Sequence, residues 1–129
     1  MKIVGISDSE VTFDNGSFLT YRHEQDCCEH VFADFSVLKD YNALGKNANK
    51  TIFDVDFDET SIYLFSAIEC VAGEGFKIGY TDGDFEGSAF VPCYNVQNGY
   101  YTSNLALVYT KGGKTNIIDV SDCVKDFIV

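Results

Sequence analysis

The sequence predicts an α+β fold, mainly antiparallel β with one or two short helices, and three observations carry that prediction. Short segments alternate apolar and polar residues at the period of a half-buried strand. Turn-forming pairs, Asn15-Gly16, Asp82-Gly83, Asn98-Gly99 and Gly112-Gly113, interrupt them. Eleven Phe and eight Tyr supply the bulky side chains that pleated surfaces accommodate well. A meander, a sandwich and a partly open barrel all share this cadence.

Residues 2–7 read as the first strand and 10–13 as the second. Asp14-Asn15-Gly16-Ser17 follows, and Asn-Gly tolerates the positive φ of a tight hairpin. Residues 18–22 return as a strand. Val31, Ala33 and Phe35 then alternate with Phe32 and Asp34, as on a half-buried strand. A helix is expected over 37–44, capped by Ser36 and ended by Gly45, with Val37, Leu38, Tyr41 and Leu44 as its apolar stripe. Strand character resumes at 51–57, 61–71, 76–80, 88–94, 100–110 and 115–120. Residues 124–129 suit either a terminal helix or a closing strand. Pro92 places its strand at an edge or near an end, because proline donates no ladder hydrogen bond.

The length, 129 residues, fits one domain spanning 1–129, and 46% hydrophobic residues allow it a core without staples. Twenty acidic residues against nine basic ones give a net charge of −11. No window forms a basic patch, so direct nucleic-acid binding is not expected. The charge suits a basic protein partner instead. No apolar run is long enough to span a bilayer, and the first residues turn acidic too soon for a signal peptide. The oligomeric state is left open. Five cysteines, an odd number scattered beyond Cys27-Cys28, do not form the pattern of a disulfide framework. Reduced thiols and a cytoplasmic location are therefore expected.

Chemical potential concentrates in His23-Glu24-Gln25-Asp26-Cys27-Cys28-Glu29-His30. These eight residues hold both histidines, two cysteines and three carboxylates. On a helix His23, Cys27 and His30 would share a face. On a strand Asp26, Cys28 and His30 would lie opposite His23, Gln25, Cys27 and Glu29. His23, Asp26, Cys27, Cys28 and Glu29 are the candidate metal ligands, with zinc the metal such donors suit and no other cofactor expected. Either backbone offers two or three nitrogen or sulfur ligands, so Cys93 or a loop carboxylate would have to complete the set. A thiol nucleophile needs a thiolate stabilised by a histidine, which the nearby carboxylates oppose. Asp54, Asp56 and Asp58 alternate with Phe53, Val55 and Phe57, and read as a solvated strand face because the glycine and glutamate of a calcium loop are misplaced.

The second distinctive stretch runs from Phe90 to Tyr101. Asn98-Gly99 should turn the chain into a strand that puts Tyr101 beside Leu105 and Leu107, with Tyr100 on the other face. Exposed tyrosine with Asn and Gln makes a contact surface, and Asn98 and Tyr100 are its candidate residues. The alternative is a packed hairpin whose tyrosines fill gaps in the core.

His23, Asp26-Cys27-Cys28-Glu29 and Asn98-Gly99-Tyr100-Tyr101 together resemble the hallmark of a family of small uncharacterised proteins from bacteriophages and their bacterial hosts, a domain of unknown function. His30 falls outside that hallmark. The resemblance implies a phage or prophage origin and a host-cytoplasmic location, and it supplies no reaction or substrate. No catalytic constellation is recognisable, so a binding protein rather than an enzyme is the leading expectation. It would be an acidic accessory protein that binds another macromolecule, such as a basic host protein. The alternative is a metal- or thiol-dependent protein centred on His23, Cys27 and Cys28.

Overall fold

The computed structural model describes residues 1–23, 29–41, 50–99 and 104–128. In chain order its strands are β1 (Ile3–Ile6), β2 (Glu10–Phe13), β3 (Phe18–Arg22), β4 (His30–Ala33), β5 (Ile68–Val71), β6 (Gly75–Asp82), β7 (Phe85–Gln97), β8 (Ala106–Lys111), β9 (Lys114–Asp119) and β10 (Lys125–Ile128). One short α-helix, α1 (Glu59–Tyr63), and two 3-10 helices, Phe35–Asp40 and Ser121–Cys123, complete the set. The expected α+β class, dominated by antiparallel sheet, is what the chain adopts. Among the described residues no helix is long and apolar enough to cross a membrane.

The strands form two open five-stranded sheets. The first runs β1-β2-β3-β8-β9 and is antiparallel throughout. The second runs β10-β7-β6-β5, with β4 also paired to β7. Val11, Phe13, Leu19 and Tyr109 of the first sheet and Val31, Phe76, Ile78 and Val91 of the second enter one apolar core. Full burial of side chains this large contributes about 1.5–3 kcal/mol each. Tyr109 satisfies its buried hydroxyl by donating to Ser17 Oγ at 2.8 Å.

The β2–β3 hairpin follows its local signals: residues 10–13 and 18–22 are its strands, joined through Asn15-Gly16. Elsewhere the structure corrects the expectations. Residues 51–57 form turns and isolated bridges rather than a strand, with Asp56 bridged to Thr81. The three aspartates there do separate work. Asp54 accepts from Thr51 N and Oγ, Asp56 lies 3.4 Å from Lys2 Nζ, and Asp58 caps α1 through Ser61 N and Oγ. That cap turns the start of the expected 61–71 strand into a helix, because an aspartate two to three residues ahead satisfies helix N–H groups that a strand would leave unused. Asp34 likewise replaces Ser36 as the N-cap of the helix near residue 37, which begins at Phe35 and is a 3-10 helix. It ends at Asp40, with Tyr41 already extended, short of the expected 37–44 span, and Leu44 and Gly45 lie outside the described residues.

β7 is central, not an edge, although it carries Pro92. Gly75–Pro92 is the last pair with β6 and Ala33–Cys93 the first with β4. The missing N–H thus falls where β7 exchanges partners, while the Pro92 carbonyl still accepts from Asp34 N at 2.9 Å. Nor is Asn98-Gly99 followed by a strand paired back onto β7: β8 belongs to the other sheet. Residues 125–128 resolve as a strand, parallel to β7 with Lys125 opposite Tyr94 and Ile128 opposite Gln97.

Cys70 and Cys123 form a disulfide, with Cα atoms 5.5 Å apart and a separation of 53 positions in sequence. This corrects the expectation of reduced thiols. Scattered cysteines hide such a pair, because a bridge depends on distance in the fold rather than along the chain.

Candidate functional site

His30 pairs with Val96 where β4 and β7 meet at one end of the second sheet, with Glu29 just before the first and Gln97 just after the second. Glu29, Val31 and Ala33 share the inward face, and Cys93, Asn95 and Gln97 share that of β7. Glu29 is only 5% exposed, and Asn95 Nδ2 donates to its Oε2 at 3.1 Å. A buried carboxylate needs such donors, since desolvating it without them is costly. Two residues on, Gln97 Nε2 donates to Asp126 Oδ1 of β10 at 3.0 Å. Two carboxylates and two carboxamides thus bind β4, β7 and β10 together beneath the sheet end.

His23 follows β3 directly and is half-buried, and its Nδ1 is buried with no hydrogen-bond partner among the described residues. Asp26, Cys27 and Cys28 lie outside the described residues. Among those described, no group of three or more His, Cys, Asp or Glu is placed to hold a metal ion. Cys93, the candidate fourth ligand, is fully buried on β7, and burial pushes its thiol up to about 12.

The contact-surface expectation divides. Asn98 is exposed just beyond β7, and Tyr100 lies outside the described residues. Asn95 and Gln97 point inward, because strand alternation puts them on the face of Cys93. What faces outward is a row of rings. His30 and Phe32 of β4 have centroids 4.7 Å apart, Phe32 and Tyr94 of β7 5.4 Å, and Tyr94 and Phe127 of β10 5.4 Å. Val96 and Phe127 stand more than a third exposed beside them. Lys125 Nζ lies 5.2 Å from the Phe127 centroid, a distance at which a cation is attracted to the ring face.

At the β4 end of this row lies a cavity of about 300 Å³, lined among the described residues by Asp8, Tyr21, His30, Phe32, Asp34 and Ser36. Burial first, and then the charges of Asp8 and Asp34, raise the Tyr21 phenol above its ordinary value. A second cavity of about 300 Å³ is lined by residues including Asp56, Asp58, Ser61, Tyr80 and Glu86. Two of its carboxylates already serve the fold, Asp58 as the α1 cap and Asp56 beside Lys2. Asp8, Tyr21 and Asp34 were missed in the sequence because they come from separate strands and loops. Phe32 was visible only as the outward partner in the β4 alternation.

No family model matches the chain, and no curated protein or solved structure matches it either.

Proposed function

We propose that this is a small acidic accessory protein of phage or prophage type that works by binding a protein partner on the outer face of β4, β7 and β10. One observation carries the reading: His30, Phe32, Tyr94 and Phe127 form a continuous outward row of rings across three strands. Aromatic side chains presented on a rigid sheet give large contact area at little cost in side-chain entropy, and such residues anchor protein interfaces. The net charge of −11 favours a basic partner and opposes a phosphate backbone. A phage or prophage origin implies the cytoplasm of a bacterial host, whereas the Cys70–Cys123 disulfide favours an oxidising compartment.

The test is a peptide-display selection against the immobilised protein, with Phe127→Ala and Phe32→Ala as counter-targets. Enriched sequences should lose at least about tenfold in affinity on either variant, the loss typical of an interface anchor. Enrichment that ignores both substitutions would remove the reading.

A second reading, a metal- or thiol-dependent protein centred on His23, Cys27 and Cys28, is favoured by the buried Nδ1 of His23 with no described partner. Native mass spectrometry of protein purified without chelator or histidine tag tests it. One zinc per chain, lost in His23→Ala and Cys28→Ser, supports it, and a metal-free mass together with Cys27 and Cys28 thiols that are alkylated only on unfolding removes it.

A further inference from the structure

We propose that the cavity bounded by Asp8, Tyr21, His30, Phe32 and Asp34 receives the cationic end of an arginine or lysine side chain from a basic protein segment lying along the ring row. The proposal rests on the binding function above and names the chemistry of one contact within it.

The cavity is built from complementary parts. Phe32, Tyr21 and His30 supply aromatic walls, and two carboxylates, Asp8 and Asp34, stand at the same opening. Ring faces and carboxylates attract the same guest, a cation that sheds part of its water on entry. No lysine or arginine is among the described lining residues. Both hydrogen bonds that Asp34 accepts, from Ser36 N and Oγ, fall on Oδ1. Burial first, and then these same two carboxylates, Asp8 and Asp34, raise the Tyr21 phenol above its ordinary value. The same face already carries one cation on a ring, Lys125 over Phe127. Its volume, about 300 Å³, accommodates a single side chain and not a folded element.

The rest of the molecule offers weaker candidates. Two of the carboxylates of the other cavity, Asp56 and Asp58, are engaged in the fold. Cys93 is sealed in the core. The Glu29-Asn95 contact lies beneath the sheet, where it joins strands.

The experiment is an NMR chemical-shift titration of the isotopically labelled chain, at about pH 8 and low salt so that exposed charges stay unscreened. The probes are N-acetyl-arginine amide and a short arginine-glycine peptide, with a glutamate-glycine peptide as control. Saturable shifts centred on residues 8, 21 and 30–34, absent with the acidic peptide, are expected. Asp8→Asn should weaken the arginine peptide by about threefold or more, and Phe32→Leu similarly, while Asp84→Asn on the β6–β7 turn leaves it unchanged. The Asp8 side chain has no role in the core, so that variant keeps the test valid even if Phe32→Leu fails to fold. Equal weakening by Asp8→Asn and Asp84→Asn, or shifts spread without saturation, would overturn the proposal as general charge attraction. If Asp8→Asn binds arginine normally while Phe127→Ala still abolishes display-selected peptides, the cavity falls and the binding function stands. If arginine binds in the cavity while display selects nothing dependent on the rings, the cavity stands and the wider function falls.

Discussion

Cys93 shows how far a residue's position overrides its type. A free thiol is a potential ligand or nucleophile, yet this one is fully buried and its ionisation is pushed up to about 12 by burial. It should resist alkylation at about pH 8 in the folded chain and react only on unfolding. Rapid labelling of Cys93 in native protein, located by peptide mapping, would contradict that burial. Asn95 makes the complementary point. It donates from a buried site to the Glu29 carboxylate, so Asn95→Ala leaves a buried acceptor one bond short. The expected loss is about 1–3 kcal/mol in urea unfolding, and a loss below about half a kcal/mol would show that the contact is dispensable.

At the scale of elements, close approach matters more than propensity. A Cβ on Gly75 would strike the Val91 carbonyl and lie 2.8 Å from Pro92 Cα, both backbone atoms that cannot rotate away. Gly75→Ala should therefore part β6 from β7 at the point where β7 exchanges partners, costing more than about 2 kcal/mol. Gly73→Ala is a poor comparison because Gly73 has positive φ, whereas Gly5→Ala meets only ordinary contacts and should cost much less. Equal thermal stability of the Gly75 and Gly5 variants would refute the packing argument. Phe65 is the one described non-glycine residue with positive φ, 58°, and it ends α1 while keeping its ring buried. A left-handed turn there costs roughly 1 kcal/mol or more, which burial of the ring offsets.

For the whole molecule, the disulfide and the carboxylates set how stability responds to conditions. Closing a loop of 53 residues removes unfolded-state entropy worth about 4 kcal/mol in the chain-entropy picture. Urea unfolding with and without a thiol reductant should show a lower midpoint in the reduced protein, and Cys70→Ser should reproduce it. An unchanged midpoint would mean that the bridge adds nothing to the packed β5 and Ser121–Cys123 contact.

Acid response follows from Asp54, Asp58 and Asp119. The N–H and hydroxyl of Thr51 lower the first, and the hydroxyls and N–H groups of Ser61 and Ser121 lower the other two. Their folded pKa values lie below the unfolded value near 3.9, so this stabilisation is complete above that pH. It drains away as pH falls through the folded values. Melting temperature should drop steeply below about pH 4, and Asp58→Asn should flatten the slope. A variant slope as steep as the native one would sink that assignment.

The amino-acid order alone specified what depends on nearest neighbours. Alternation set which side chains of β2, β3 and β4 turn inward, and Asn15-Gly16 set the β2–β3 hairpin, because strand period and turn geometry are local properties. The capping aspartates Asp34 and Asp58 were equally local signals, obscured by the aromatic and β-branched residues around them. Other features required the assembled fold. Nothing local states that β8 leaves β7 for the opposite sheet, that β10 joins β7 in parallel, or that Cys70 meets Cys123. Alternation says that a strand has two unlike faces, but the partners across each face are chosen by contacts far apart in sequence. That choice buries Asn95 against Glu29, leaves Phe32, Tyr94 and Phe127 in one outward row, and closes Asp8, Tyr21 and Asp34 around a common cavity.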